Sequence, residues 1–358
     1  MTLSRWQLHL LSIPLEKPYR LAFGDVTHFD TIIVEVEDKD GRRGFGEATL
    51  LEAYGGGSVD GAWAFCTDHA SALCGLEVGA AKAELEKSFK QQAFAVTAMT
   101  AAIEMLQGAA LIAPGNNEIR VPLLGAVSET DHDAIPGEIE GLLVQGYGTL
   151  KVKVGFDVDA DLGRLAVVQD AVGGRAALRI DGNQGFDVDD AMRFATDADP
   201  QDIELFEQPC AANDWGAAVA VAKVSRLPMM MDESIFGPDD IIRTAELGCA
   251  KFIKLKLFKM GGVEKLLKGL EQIRSLGMEP VLGNGVASDV SCWMEALVAA
   301  RAITNAGELN GFLRAVGGIF EEPLTVENGD LVLSGGYTPV LDYDKIIAFT
   351  VASAASRR

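Results

Sequence analysis

Three acidic residues, Asp181, Glu207 and Asp232, each close an apolar run (ALRID, IELFE and PMMMD) and open a loop. The steps between them are 26 residues (181 to 207) and 25 (207 to 232), about the length of one strand plus a crossover helix. Carboxylates at the same end of three successive strands of a closed parallel barrel converge on its carboxyl-terminal rim, where such barrels keep their chemistry. Three hard oxygen ligands suit Mg²⁺, with Mn²⁺ as a substitute, and leave positions open for substrate and water.

Lysines frame these acids. TLKVKVG places Lys151 and Lys153 two apart, and FIKLKLF does the same for Lys254 and Lys256. On a strand, period-two alternation sends both lysines of a pair to one face. In a barrel that face is the lumen, with the intervening valines turned to the helices. A lysine buried there is expensive unless a carboxylate or a metal cluster accompanies it. The plain reading of any single lysine is a strand end in solvent or a salt bridge. The doubled pattern, on strands two and six with the carboxylates on strands three to five between, suggests proton transfer. The metal would hold a substrate carboxylate as its α-proton leaves. One lysine would take the proton and the opposite one return it, with burial and neighbouring cations lowering their pKa values toward the working pH.

The elements that must position these groups fall into two textures. Up to about residue 112 the chain reads as an α+β unit, with strands at 4–12, 30–37 and 43–48 and helices at 59–75, 81–92 and 94–112; PGNN at 114–117 is a boundary. Strands then alternate with helices: 121–126, 149–154, 177–181, 203–207, 228–232, 252–257, 279–283 and, weakest, 306–310. The predicted fold is α/β, a (β/α)7–8 TIM-type barrel with an N-terminal α+β capping domain completed by the C-terminal tail. The boundaries are 1–115 for the cap, 116–320 for the barrel and 321–358 for the tail. No GxxxxGK[ST] occurs, and GNG at 283–285 lacks the rest of a dinucleotide fingerprint.

With 358 residues, 48% hydrophobic and 23% charged, the chain can bury a large core. Its net charge of −21 argues against nucleic-acid and anionic-membrane partners. The five scattered cysteines read as buried small hydrophobes in a reducing cytosol. The first residues lack the continuous apolar stretch of a signal peptide, and no run reaches a membrane span. A cytoplasmic location follows as the expectation.

The segments TLKVKVG (149–155), RIDGNQGF (179–186), ELFEQP (204–209), MMMDES (229–234) and KLKLFKMGG (254–262) resemble, in order, the enolase superfamily and its muconate-lactonizing-enzyme-like, dual-lysine subgroup. The resemblance covers essentially the whole chain. It implies that Asp181, Glu207 and Asp232 ligate the metal, that Lys153 and Lys256 are the opposed acid/base lysines, and that Lys151 stabilises the enolate. Asn183 is implied to contact the ligand shell or substrate. Lys254 departs from the pattern, which usually has a neutral polar residue there; it would neutralise the site or lower the pKa of Lys256.

Mandelate-racemase-like branches, by resemblance, use a late histidine, and all four histidines here precede strand two. The resemblance places specificity in two cap loops (about 17–29 and 50–58) and at 307–313. Phe23 and Tyr54 are the apolar loop candidates, with packing between domains as the alternative. Dipeptide epimerases carry Asp-x-Asp at the last position; this chain has Glu308 and Asn310, leaving one carboxylate for a cationic or N-substituted substrate. The reading is abstraction of the α-proton of a small carboxylate through an enediolate, by a two-base racemase or epimerase of an amino-acid derivative or related acid. The alternatives are a muconate-type cycloisomerase, an o-succinylbenzoate-synthase-like syn-dehydratase, and a non-catalytic metal-binding barrel. Relatives of this kind are commonly homo-oligomers.

Overall fold

The computed structural model describes residues 1–21, 24–51, 57–113 and 115–357. The chain opens with β1 (Leu3–Leu21), β2 (Gly24–Asp38) and β3 (Arg43–Leu50), then α1 (Val59–Leu73), α2 (Val78–Glu86) and α3 (Ala93–Leu106). Short strands β4 (Ile119–Pro122) and β5 (Gly125–Val127) lead into alternating units. These are α4 (Ile135–Val144), β6 (Thr149–Lys153), α5 (Val158–Val172), β7 (Ala177–Asp181), α6 (Val188–Asp197), β8 (Ile203–Glu207) and α7 (Trp215–Val224). They continue with β9 (Met229–Met231), α8 (Pro238–Leu247), β10 (Phe252–Leu255), α9 (Leu257–Met260), α10 (Val263–Ser275), β11 (Glu279–Leu282) and α11 (Asp289–Ala302). The chain ends with β12 (Thr325–Glu327), β13 (Asp330–Leu333), α12 (Tyr343–Phe349) and β14 (Thr350–Arg357).

Strands β5 to β11 form one seven-stranded parallel sheet in sequence order. The segment at 307–308 bridges both of its ends: Gly307 pairs in parallel with Leu123, and Glu308 with Gly283. The strands read as apolar runs because both faces are covered. Leu150, Val152, Leu178 and Ile180 pack outward on α5 and α6. Aspartates after several strands start the next helix. Asp157, Asp187 and Asp214 accept backbone N–H bonds from the first turns of α5, α6 and α7, satisfying donors that have no partner inside the helix.

The capping sheet is antiparallel, in the order β14–β1–β2–β3. It packs on α3, in which 13 of 14 residues are buried. Gly44 and Gly46 set that approach: a Cβ at either would lie 2.2 Å from a carbonyl oxygen of α3, that of Ala102 or Ala98. A third small sheet joins β12, β13 and β4. Among the described residues no helix is long and apolar enough to cross a membrane. All five cysteines are free and buried.

Several expected elements need correction. The loop expected at 17–29 is largely a hairpin, because β1 and β2 resume pairing at Tyr19–Val26 after an irregularity past Pro14. The single strand expected at 121–126 is two, since β4 joins β13 antiparallel while β5 joins the parallel sheet. Helix α2 stops at Glu86, and residues 87–91 form turns instead of continuing to 92.

Candidate active site

Parallel register brings the acids level. Lys153 stands beside Asp181, Asp181 beside Glu207, and Glu207 beside Met230, two residues before Asp232. All three carboxylates are buried, as are Lys151, Lys254 and Lys256. The structure therefore gathers at one sheet end the residues that the spacing singled out.

The lysines interlock with the acids. Lys151 Nζ lies 2.8 Å from Asp181, 3.1 Å from Glu207 and 2.9 Å from Glu308. Lys254 Nζ lies 3.1 Å from Glu207 and contacts Glu308 more closely still. Lys153 Nζ donates to Asp181 Oδ2 at 2.6 Å and to Asn183 Oδ1. Across the site, Lys256 Nζ donates to Asp232 Oδ2 at 2.9 Å and Lys259 Nζ to Asp232 Oδ1 at 2.6 Å. Asn183 ties the two sides: its N–H donates to Asp181 and its side-chain amide to Glu233 Oε1 at 2.8 Å.

These contacts set the charge states. Burial opposes the ionised Asp181, but Lys151, Lys153 and Lys254 outweigh it and hold the carboxyl at about 2. Asp232 is likewise held well below the usual range: burial opposes, and Lys256, Lys259 and Lys254 prevail. Glu207 goes the other way, raised by burial and by Asp181. Burial and the neighbouring Asp232 and Asp181 push Glu233 up to about 7, and its Oε2 is buried without a partner. Lys151 rises well above its ordinary value because Asp181, Glu207 and Glu308 overcome its burial. Burial lowers Lys259 despite Asp232.

Above the acids lies a cavity of about 460 Å³, part of it open to solvent. Lys151, Lys153, Lys254, Lys256, Asp232, Glu308, Asn183 and Asn284 give it a polar wall, and Leu51, Phe94, Phe258 and Val286 an apolar one. Phe94 and Phe258 stack with centroids 4.2 Å apart. Phe23 and Tyr54 lie outside the described residues. Asn310 is not among the described residues lining the cavity; its amide donates to the Leu124 carbonyl at 3.2 Å. Glu308 reaches the cavity, but its carboxylate is already shared by two lysines.

Among the described residues no three acidic, histidine or cysteine groups stand as a ready ligand cluster, because the ammoniums of Lys151 and Lys254 are interposed between the carboxylates. The chemistry nevertheless fits: three buried, all-oxygen donors, already arranged around cationic nitrogens, with a neighbouring Glu233 oxygen unsatisfied.

Several residues escaped the sequence reading. Gln208 is fully buried, and its Oε1 accepts from the Asp232 and Ser234 N–H groups at 3.0 and 3.2 Å, locking the loop after β8 to that after β9. Glu233, Lys259 and Asn284 carry no expectation either, although Gln208, Glu233 and Lys259 lie inside the quoted motifs and Asn284 inside GNG. From the cap, Glu47 accepts from the Ser288 and Ser291 N–H groups, both at 2.8 Å, at the start of α11. It also accepts from Thr49, which lines the cavity. No spacing pattern connects residue 47 to residue 288.

The family model described as Enolase C-terminal domain-like matches residues 135–337, more than half of the chain. The L-Ala-D/L-Glu epimerase of Clostridium acetobutylicum is 28% identical over 84% of this chain and 87% of that protein. The N-succinyl-L-Arg/Lys racemase of Bacillus cereus is 26% identical over 88% of each. Among solved structures, the muconate lactonizing enzyme of Pseudomonas putida superposes with a TM-score of 0.87 at 24% identity, covering 98% of this chain and 100% of that one. The first two are isomerases by name, and a solved structure of the dipeptide epimerase of Cytophaga hutchinsonii, with a TM-score of 0.88 at 21% identity over 99% of this chain and 100% of that one, is complexed with Mg and the dipeptide D-Ala-L-Val. The family model and the likeness along the whole chain establish that this protein belongs to the Enolase C-terminal domain-like family of the enolase superfamily.

Proposed function

We propose that the protein is a Mg²⁺-dependent racemase or epimerase that exchanges the α-proton of an amino-acid-derived carboxylate between two lysines. The observation that carries this reading is the opposition of Lys153 on β6 and Lys256, directly after β10, across one cavity, with β7, β8 and β9 and their three carboxylates between them. Asp181, Glu207 and Asp232 are the residues that would hold the metal. Bound there, Mg²⁺ would supply positive charge to hold a substrate carboxylate and acidify its α-carbon.

The chain's own groups do the rest. On one wall Lys153 receives or delivers the α-proton; on the other, Lys256 does the reverse, and a substrate held between them emerges with inverted configuration. Lys151, fixed by three carboxylates, remains an ammonium and faces the charge that builds as the C–H bond breaks. Five carboxylates (Asp181, Glu207, Asp232, Glu233, Glu308) meet five lysines here (151, 153, 254, 256, 259). In each turnover one of Lys153 and Lys256 must be the amine and the other the ammonium, and a dication held among these carboxylates would favour the amine. The bridging segment at 307–308 is read as the eighth barrel strand, with residues 1–115 and 321–358 forming the cap. The relatives' substrates, a dipeptide and N-succinyl amino acids, bracket the class expected here.

Alanine at Lys153 and at Lys256 tests the reading. Each variant should lose racemisation of an active substrate by at least roughly 1,000-fold. Each should still wash deuterium into one enantiomer only, opposite for the two variants. Racemisation that survives either substitution rules out the two-base scheme.

A further inference from the structure

Glu308 is the acid that a substrate ammonium would seek at the strand-eight end of the cavity, yet the chain already occupies it. Its Oε2 accepts from Lys151 Nζ at 2.9 Å and from Lys254 Nζ more closely still, and all three side chains are buried. A new partner for the carboxylate would have to displace one of these two lysines. A Cβ on Gly285 would lie 3.0 Å from Glu308 Oε1, so glycine there leaves the carboxylate its room, and one on Gly283 would lie 2.4 Å from the Glu308 backbone nitrogen, where the two segments approach closely. The rest of the described wall has the same sign. Lys151, Lys153, Lys254 and Lys256 line the cavity against two carboxylates, Asp232 and Glu308, and both of those accept from lysines. Leu51, Phe94, Phe258 and Val286 also line it and supply apolar surface.

We infer that Lys254 is a specificity-determining residue: as a built-in cation on Glu308 it excludes substrates bearing an ammonium there and selects carboxylates whose nitrogen carries an uncharged acyl group. This rests on the racemase reading above and narrows it to N-acylated amino acids. A free ammonium entering the cavity would meet the Lys254 charge in a low-dielectric wall with no carboxylate left to pair with it among the described residues. An acyl group brings no charge and can lie against the apolar side.

Two probes differ only in that ammonium: propanoyl-L-phenylalanine and L-alanyl-L-phenylalanine. Both are titrated calorimetrically into the Mg²⁺-loaded protein and followed for α-deuterium exchange, using wild type, Lys254→Met, and Lys254→Met combined with Glu308→Gln. Wild type should bind the propanoyl compound at least tenfold more tightly. Lys254→Met should narrow or reverse that preference by at least tenfold, by releasing Glu308 to the ammonium, and the double variant should lose the gain. Equal or tighter dipeptide binding by wild type overturns the inference, as does a preference unchanged in Lys254→Met; the wild-type pair decides alone if the variant does not fold. Tight binding of the propanoyl compound without α-exchange would sink the racemase reading while leaving the selectivity intact.

Discussion

Glu295 on α11 makes a sharp prediction about stability. The side chain is fully buried, its Oε1 accepts the Leu257 N–H at 2.6 Å, and its Oε2 has no partner. Burial is the main reason its carboxyl is pushed up to about 8; Leu257 N–H opposes, Glu47 adds repulsion, and Lys256 and Lys254 offset part of it. The folded value lies above the unfolded 4.5, so the folded state prefers the proton. This group's contribution is therefore fully present below pH 4.5 and is lost progressively as pH rises toward 8. At pH 7 the unfolded chain gains about 3 kcal/mol from ionising a group that the fold keeps neutral. Glu295→Gln keeps the acceptor for Leu257 and removes the proton. Relative to wild type, the variant should be near neutral at pH 4.5 and more stable by about 3 kcal/mol at pH 7, or about 4 °C in Tm for a chain of this size. Paired melts of both proteins from pH 4.5 to 8 cancel every other titrating group. A difference that stays flat across that range, or that grows in favour of wild type, would refute a protonated Glu295.

Other expectations follow from contacts already described. Asp181→Asn should weaken Mg²⁺ binding by roughly 100-fold or more in calorimetry, and an unchanged affinity would remove Asp181 from the ligand set. Gly46→Ala places a Cβ 2.2 Å from the Ala98 carbonyl oxygen and should cost about 2–3 kcal/mol in urea unfolding; a neutral result would mean that α3 moves freely off β3. Glu47→Ala strands the Ser288 and Ser291 N–H groups, so about 2–4 kcal/mol should be lost. KM should rise more than kcat falls, because Thr49 on the cavity wall loses its acceptor and keeps only its contact with Thr31.

The ends of β7, β8 and β9 were legible because each is a short apolar run that stops at a carboxylate, and the lysine faces because alternation on a strand is a local property. Local pattern could not show which strand a residue meets. The strand read at 121–126 splits because Pro122 ends an antiparallel pairing with a segment 200 residues away. The hairpin that replaces the expected 17–29 loop depends on pairing resuming after an irregularity. Glu308 was read as an open carboxylate because its two lysine partners, at 151 and 254, are distant in sequence. Lys254 was noted as a departure, but its purpose emerges only beside Glu308. Glu47 and Glu295 carry no motif at all, and only their burial marks them.

The most direct test of the central claim is deuterium exchange watched by NMR, with rotation measured in parallel, on a single enantiomer of an N-acylated amino acid with Mg²⁺ in D₂O. The account predicts loss of the α-proton signal, loss of optical rotation at a matching rate, no new alkene or lactone signal, and abolition of both losses by EDTA. Rotation changing together with an alkene or lactone signal, or exchange that persists after the metal is removed, would contradict it.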